Sequence, residues 1–266
     1  YDDMIIHPRD KDLVVGTHGR SFWVLDDMTP LAEWSESLDK PVHVYPIRPT
    51  TLFHYWKDTS YRGQEEWTGP NPDYGAIISF IVNSNESQAV IEIKRRNKTI
   101  RTYQLSVSPG VINRFVWDLK HPPPPFIENN KETPGLIKPN KSELLPIPPH
   151  SLDPQGPHVS PGVYTVTVSV GNKSHSQTVR VNGDPKLNLR TGDYRQRETF
   201  LLELHALHKQ AFTLNEKLKE MVKQSSKKMK ADDKKLIAIK GQQKNVNNIR
   251  SSAMRLAREL QGGGVR

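Results

Sequence analysis

The sequence runs to 266 residues, with 38 Lys and Arg against 29 Asp and Glu, a formal net charge of +9, and no cysteine. That length makes one large domain or two to three smaller ones, and the missing cysteines exclude disulfides and thiolate chemistry. From Arg190 onward 18 Lys and Arg stand against 8 Asp and Glu, which leaves 20 against 21 in residues 1–189, so any argument about polyanions concerns the C-terminal segment alone.

No window reaches the apolar length of a membrane span. The chain opens on Tyr1 inside a strand-like run, with no initiator Met and no charged-then-apolar leader, as expected of a fragment or a processed form. Residues 1–30 carry three short apolar runs, Met4 to His7, Leu13 to Thr17 and Phe22 to Leu25. Pro8-Arg9-Asp10 and His18-Gly19-Arg20 supply the turns, with Gly19 free to take the positive φ that a tight reversal demands. Strands joined this closely predict an antiparallel meander, most of one blade of a β-propeller. A blade buries its faces only against neighbouring blades, so these thirty residues are expected to need a cover supplied from outside the chain.

Residues 31–75 read as an irregular linker. A short helical stretch around Ala32 to Leu38 and a strand around Val42 to Pro46 precede a run holding Trp56, Tyr61, Gly63, Trp67, Gly69, Pro70, Pro72 and Tyr74. Pro removes backbone donors and Gly raises the entropic cost of order, so this run is expected to wrap a surface and pin itself with its aromatics.

Residues 76–185 alternate as strands: Ala76 to Val82, Ala89 to Lys94, Arg101 to Val107, Asn113 to Leu119, Gly162 to Val170 and Ser176 to Val181. From Tyr164 to Val170 the period of two is nearly strict, one face Tyr and Val, the other Thr and Ser. Turn signals at Asn83-Ser84-Asn85, Pro109-Gly110 and Gly171-Asn172 predict an immunoglobulin-like sandwich of two sheets with Trp117 in its core. An insertion over 121–161 holds 12 of the 21 prolines, four of them consecutive at Pro122 to Pro125, and reads as an extended strap or loop.

Residues 190–262 predict a helical hairpin. Phe200, Leu204, Leu207, Ala211, Leu214, Leu218 and Met221 make one helical stripe, and Ile239, Val246, Ile249, Ala253, Leu256 and Leu260 make a second. The polar stretch Lys227 to Lys235 turns the chain between them, each stripe is expected to cover the other and part of the sandwich, and Gly262-Gly263-Gly264 ends the second helix. The fold class expected is mainly β with an α-helical hairpin: propeller-blade remnant, sandwich, and a C-terminal antiparallel helix pair.

The string IIHPRDKDLVVGTHGRSFWVLDD, followed in order by Val111 to Leu119, Pro161 to Val166 and Asp184-Pro185-Lys186, resembles the C-terminal region of the sortilin-type, BNR-repeat propeller proteins. That group is mostly bacterial, exported and often labelled glycosyl hydrolase. The resemblance covers about two-thirds of the chain in patches and implies a closing propeller blade, an exported protein and terminal paired helices. The Ser/Thr-x-Asp-x-Gly-x-x-Trp turn that gives the family its Asp-box is absent from this sequence. Architecture therefore transfers better than activity.

Candidate ligand-binding residues are His18 and Arg20, which flank the blade turn, and Trp23, which offers a stacking face to a sugar. The competing structural expectation is that Arg20 pairs with Asp26, Asp27 or a neighbouring blade and that His18 bonds a loop carbonyl. Those two acids are adjacent on a strand, the wrong geometry for the opposed carboxylates of a glycosidase, and Asp27 or Thr29 is better read as bonding backbone at the blade exit. His205 and His208 have the spacing of a shared metal site but lack further ligands, and are expected to face solvent. Asn85, Asn97, Asn140 and Asn172 each begin an Asn-x-Ser/Thr string.

These readings assign the chain, without catalytic, metal or cofactor residues, to a binding and assembly role. It would dock onto the propeller of its own parent or onto a partner chain, with a glycan as the small ligand. The rival is the C-terminal part of a glycan-acting hydrolase whose active site lies in the propeller. A third reading is polyanion binding by the basic helices, against which stands the lack of interleaved aromatics or a nucleic-acid fold.

Overall fold

The computed structural model describes residues 3–53, 73–123, 127–128, 131–132, 156–228 and 234–261. The aromatic run from Trp56 to Pro72, most of the proline-rich insertion, the turn between the helices, Asn140 and the terminal glycines lie outside the described residues. The chain forms two compact units.

The first unit takes in residues 3–53, 73–119 and 161–187. It opens with β1 (Asp3–Ile6), β2 (Leu13–Gly16) and β3 (Phe22–Leu25), an antiparallel sheet in the order β1-β2-β3, as the meander pattern predicts. Two single helical turns follow, α1 (Thr29–Ala32) and α2 (Trp34–Ser37), the first carrying Pro30 in its opening turn, where the missing N–H costs nothing. Then come β4 (Val42–Val44), β5 (Thr50–Thr51), β6 (Ala76–Val82), β7 (Gln88–Arg95), β8 (Lys98–Ser106) and β9 (Ile112–Trp117). A small ribbon, β10 (Ile127–Glu128) with β11 (Lys131–Glu132), belongs to the second unit, after which β12 (Gly162–Val170) and β13 (Lys173–Asn182) return to the first.

These strands make a five-stranded sheet in the order β5-β13-β12-β7-β8 and a three-stranded sheet in the order β4-β6-β9. β12 and β13 pair from Gly162 opposite Val181 to Val170 opposite Lys173, reversing at Gly171 with φ 56°. The alternation read in β12 holds: Tyr164, Val166, Val168 and Val170 are buried and the Thr and Ser between them are not. Inner faces of the two sheets meet where Trp117 of β9 packs edge-on to Tyr164 of β12, ring centroids 5.2 Å apart. Trp117 is fully buried, as its place in a strand predicts. Gly75 is required beside it. Its φ is +139° and a Cβ there would stand 2.2 Å from the Trp117 carbonyl oxygen.

The second unit contains residues 120–123, 156–160 and two long helices, α3 (Thr191–Lys228) and α4 (Lys234–Gln261). Arg250 lies over the Phe212 ring, while Leu204 and Leu207 line one groove with Ile249, Ala253 and Leu256, so the helices run antiparallel. Among the buried or half-buried positions, a run falls at 201, 204, 208, 211, 215, 218 and 222 on α3, and another at 236, 239, 243, 246, 250, 253 and 257 on α4. Alternating steps of three and four are the seam of a coiled coil.

This seam corrects the expected stripe. Leu204, Ala211 and Leu218 turn toward α4, but Phe200, Leu207, Leu214 and Met221 stand exposed, and Ile249 and Leu256 do the same on α4. The apolar band is one position wider than a two-helix seam can cover. His208 and Asn215 occupy seam places instead.

Candidate functional site

The sheet β1-β2-β3 differs from the rest of the first unit in what it leaves uncovered. Met4-Ile5-Ile6, Leu13-Val14-Val15 and Phe22-Trp23-Val24-Leu25 are unbroken apolar runs, the pattern of strands covered on both faces. Register assigns the faces. Ile5, Val14 and Val24 stand in one row with Asp3, Gly16 and Phe22, while Met4, Val15 and Trp23 stand on the other side with Ile6, Leu13 and Leu25. Both faces are therefore apolar. Every residue of β1 and β3 is exposed, with Phe22 at 76% and Trp23 at 66%, and β2 is half-buried.

Hydrophobic burial contributes about 1.5–3 kcal/mol for each large side chain taken out of water, so a cover for this sheet would gain many times that. Among the described residues the sheet also ends at β1 on one side and β3 on the other, leaving two edges that a further strand could join.

The sheet is nonetheless held at its base. Arg48 donates from Nη1 to Asp12 Oδ1 at 2.9 Å and to the Asp10 carbonyl oxygen, and its Nε lies 3.6 Å from Asp27 Oδ2. Asp27 sits at φ 60°, its N–H bonded to Asp12 Oδ1 at 3.0 Å and its own Oδ1 accepting from the Thr29 N–H at 3.2 Å. That last bond is the one expected at the blade exit. Asp26 lies 3.9 Å from Arg114. The two acids thus face Arg114 and Arg48 rather than Arg20.

His18 and Arg20 are both exposed, on the turn closed by Thr17 Oγ1 donating to the Ser21 carbonyl oxygen at 2.9 Å, with Gly19 at φ 73° as its position requires. Trp23 pairs with Val15 in the sheet. The three candidate residues therefore share one strand end, and Trp23 belongs to the apolar face there.

Two polar clusters carried no sequence signal. In the first unit His43 and His175 stack with ring centroids 4.9 Å apart, although 132 positions separate them. The Val44 N–H donates to His175 Nδ1 at 2.9 Å, and Lys40 Nζ lies 3.2 Å from His43 Nδ1. Burial first, then the Lys40 charge, pushes both imidazoles below their ordinary range. In the second unit His121 Nε2 lies 2.7 Å from Glu198 Oε1, while Ser160 gives both its N–H, at 3.1 Å, and its hydroxyl to Glu198 Oε2. All three residues are buried, and the carboxylate ties the chain around 121 and 160 to α3.

His205 and His208 correct an expectation, because both are buried rather than facing solvent. Burial lowers each to about 4, aided by His208 and His121 in the first case and by Arg250 in the second. At neutral pH both are uncharged. Among the described residues no group of three or more His, Cys, Asp and Glu side chains could hold a metal ion, and no helix is long and apolar enough to cross a membrane.

Asn85, Asn97 and Asn172 are exposed. No protein-family model matches the chain, and neither a curated protein nor a solved structure matches it.

Proposed function

We propose that this chain is a non-catalytic binding and assembly region of an exported, sortilin-like propeller protein. Strands β1 to β3 form part of a propeller blade, and the partner they dock onto is the apolar sheet face of neighbouring blades, belonging to the same parent or to a partner chain. The paired sheets of the first unit serve as an immunoglobulin-like body behind that blade. His18 and Arg20 stand at the rim of the docking surface, where a glycan would meet them.

One observation carries this reading: the sheet is apolar and exposed on both faces. A sheet lying on a single core needs only one apolar face and keeps the other polar. Radially stacked blades are the arrangement that covers two faces of one small sheet at once. A partner built this way has apolar sheet faces of its own, which fixes the chemistry of the occupant.

The test is co-purification with the separately expressed propeller of the same parent. Complex formation is expected, with loss on Trp23→Ser, which alters one face, and on Val14→Asp, which alters the other. A chain that stays uncomplexed under native conditions sinks the proposal. A complex that depends on only one of the two substitutions sinks the stacked-blade geometry.

A further inference from the structure

A separate surface lies on the second unit. Phe200, Leu207, Leu214 and Met221 follow one another at intervals of seven along α3 and are between 44 and 49% exposed. Ile249 and Leu256, also seven apart, line the facing side of α4, and an apolar groove runs between Leu204, Leu207, Ile249, Ala253 and Leu256. A seam plus one flanking position is the width of apolar band carried by a helix in a bundle of more than two. Here only the seam is covered.

We infer that this face binds a second copy of the same chain, α3 lying antiparallel against its counterpart with the two-fold axis between Gln210 and Ala211, so that two hairpins make a four-helix bundle. The spacing is self-complementary about that point. Leu207 meets Leu214 of the other copy and Phe200 meets Met221, each contact occurring twice, as an isologous interface requires. Charge follows the same symmetry. Glu203 and Lys217 are the charged residues that border the stripe on α3; both are exposed, and neither makes an ion pair within the chain among the described residues. That axis places Glu203 within one residue of the position opposite Lys217 of the second copy, whereas a parallel pairing would set like charges together.

Gln210 itself, with Asn245, Asn248 and Ser252 on the α4 side, leaves the centre of the face uncharged although the segment from Arg190 onward carries 18 basic against 8 acidic residues. The stripe runs 21 residue steps on α3, about 32 Å, and 7 on α4, about 11 Å, which at about 10 Å of helix width makes a footprint of about 430 Å². That is about half of the roughly 800 Å² per partner of a standard stable interface, the size of a weak, reversible dimer.

The test is the mass of the full chain in solution, by light scattering and sedimentation equilibrium across a concentration series into the high-micromolar range. A reversible dimer is expected. Leu214→Glu should give a monomer whose helicity by circular dichroism is unchanged, since the side chain is exposed in the single chain. Glu203→Lys and Lys217→Glu should each weaken the dimer roughly tenfold, from two symmetry-related exposed pairs turned from attraction to repulsion, and the double variant should restore it. Trp23→Ser should leave the dimer intact, which separates this surface from the β1–β3 sheet. A monomer throughout overturns the inference, as does a dimer indifferent to the charge reversals or one that the double variant fails to restore.

Discussion

Arg48 and Asp12 are bonded at 2.9 Å across 36 positions of sequence, and this pair fastens an otherwise uncovered sheet to the body of the first unit. Each side chain is about one-quarter exposed, so the pair is worth less than a fully buried one, but the same guanidinium also serves the Asp10 carbonyl and Asp27. Arg48→Ala should loosen β1 to β3 by about 1–3 kcal/mol, the worth of charged hydrogen bonds. Hydrogen exchange measures this directly. Amides of β1 to β3 should exchange faster while those of β12 keep their protection, and unchanged exchange in β1 to β3 would refute the anchoring role.

The core of that unit rests on Trp117, fully buried and edge-on to Tyr164. Trp117→Ala removes the largest buried side chain at the meeting of the two sheets and should cost about 3–5 kcal/mol, read from the urea midpoint. Trp117→Phe keeps an aromatic edge against Tyr164 and should lose clearly less. Equal losses would mean that the specific fit of the indole, not the ring area kept against Tyr164, sets the stability.

What could be read in the sequence follows the range over which each signal acts. Alternation in Tyr164 to Val170 and the glycine at the 18–20 turn are local, and both the strand and the positive φ of Gly19 stand where they were expected. The uncovered faces of β1 to β3 were legible for the same reason: a run such as Phe22-Trp23-Val24-Leu25 has no polar face to show. The helices were legible as helices but not in their rotation. A band including both Leu204 and Leu207 can turn either edge toward its neighbour, and the choice made here buries His208 and Asn215 while exposing Leu207 and Leu214. The stacked His43 and His175, and Glu198 between His121 and Ser160, join distant segments, and no spacing in one sequence encodes such meetings.

Acid should weaken the second unit. In the unfolded chain His205 and His208 titrate near the ordinary 6.5, whereas in the folded chain burial holds each neutral down to about 4. Between these values the unfolded state binds more protons. Stability is therefore complete above about pH 6.5, declines as pH falls toward 4, and levels off below it. Each unit of depression corresponds to about 1.4 kcal/mol, so the pair amounts to several kcal/mol over that window. Denaturation of α3 and α4 followed by circular dichroism at a series of pH values checks this. His208→Leu puts an apolar residue at a seam position and removes a buried Nδ1 that lacks a hydrogen-bond partner, so it should raise stability at pH 5 and flatten the dependence. A profile with the same slope in this variant would place the titrating group elsewhere.

Among the described glycines of the second unit, Gly156 is the one with no room for a side chain. A Cβ there would stand 1.7 Å from the His121 carbonyl oxygen and 2.8 Å from that of Pro122, inside backbone rather than against a side chain that could turn away. The neighbouring His121 N–H donates to the Pro157 carbonyl oxygen at 2.8 Å, and Lys120 forms a bridge with His158. Gly156→Ala must therefore push apart two chain segments that hydrogen bonds hold together. Movement of His121 also lengthens its 2.7 Å contact with the buried Glu198. The clash and the stretched hydrogen bonds should together cost on the order of 3 kcal/mol. Glu198→Gln, by contrast, keeps the shape and a carbonyl acceptor, so it should cost less than Gly156→Ala. Comparing thermal midpoints of the two variants decides the matter: if Glu198→Gln is the more damaging, the carboxylate charge and not the close backbone approach holds this corner of the unit together.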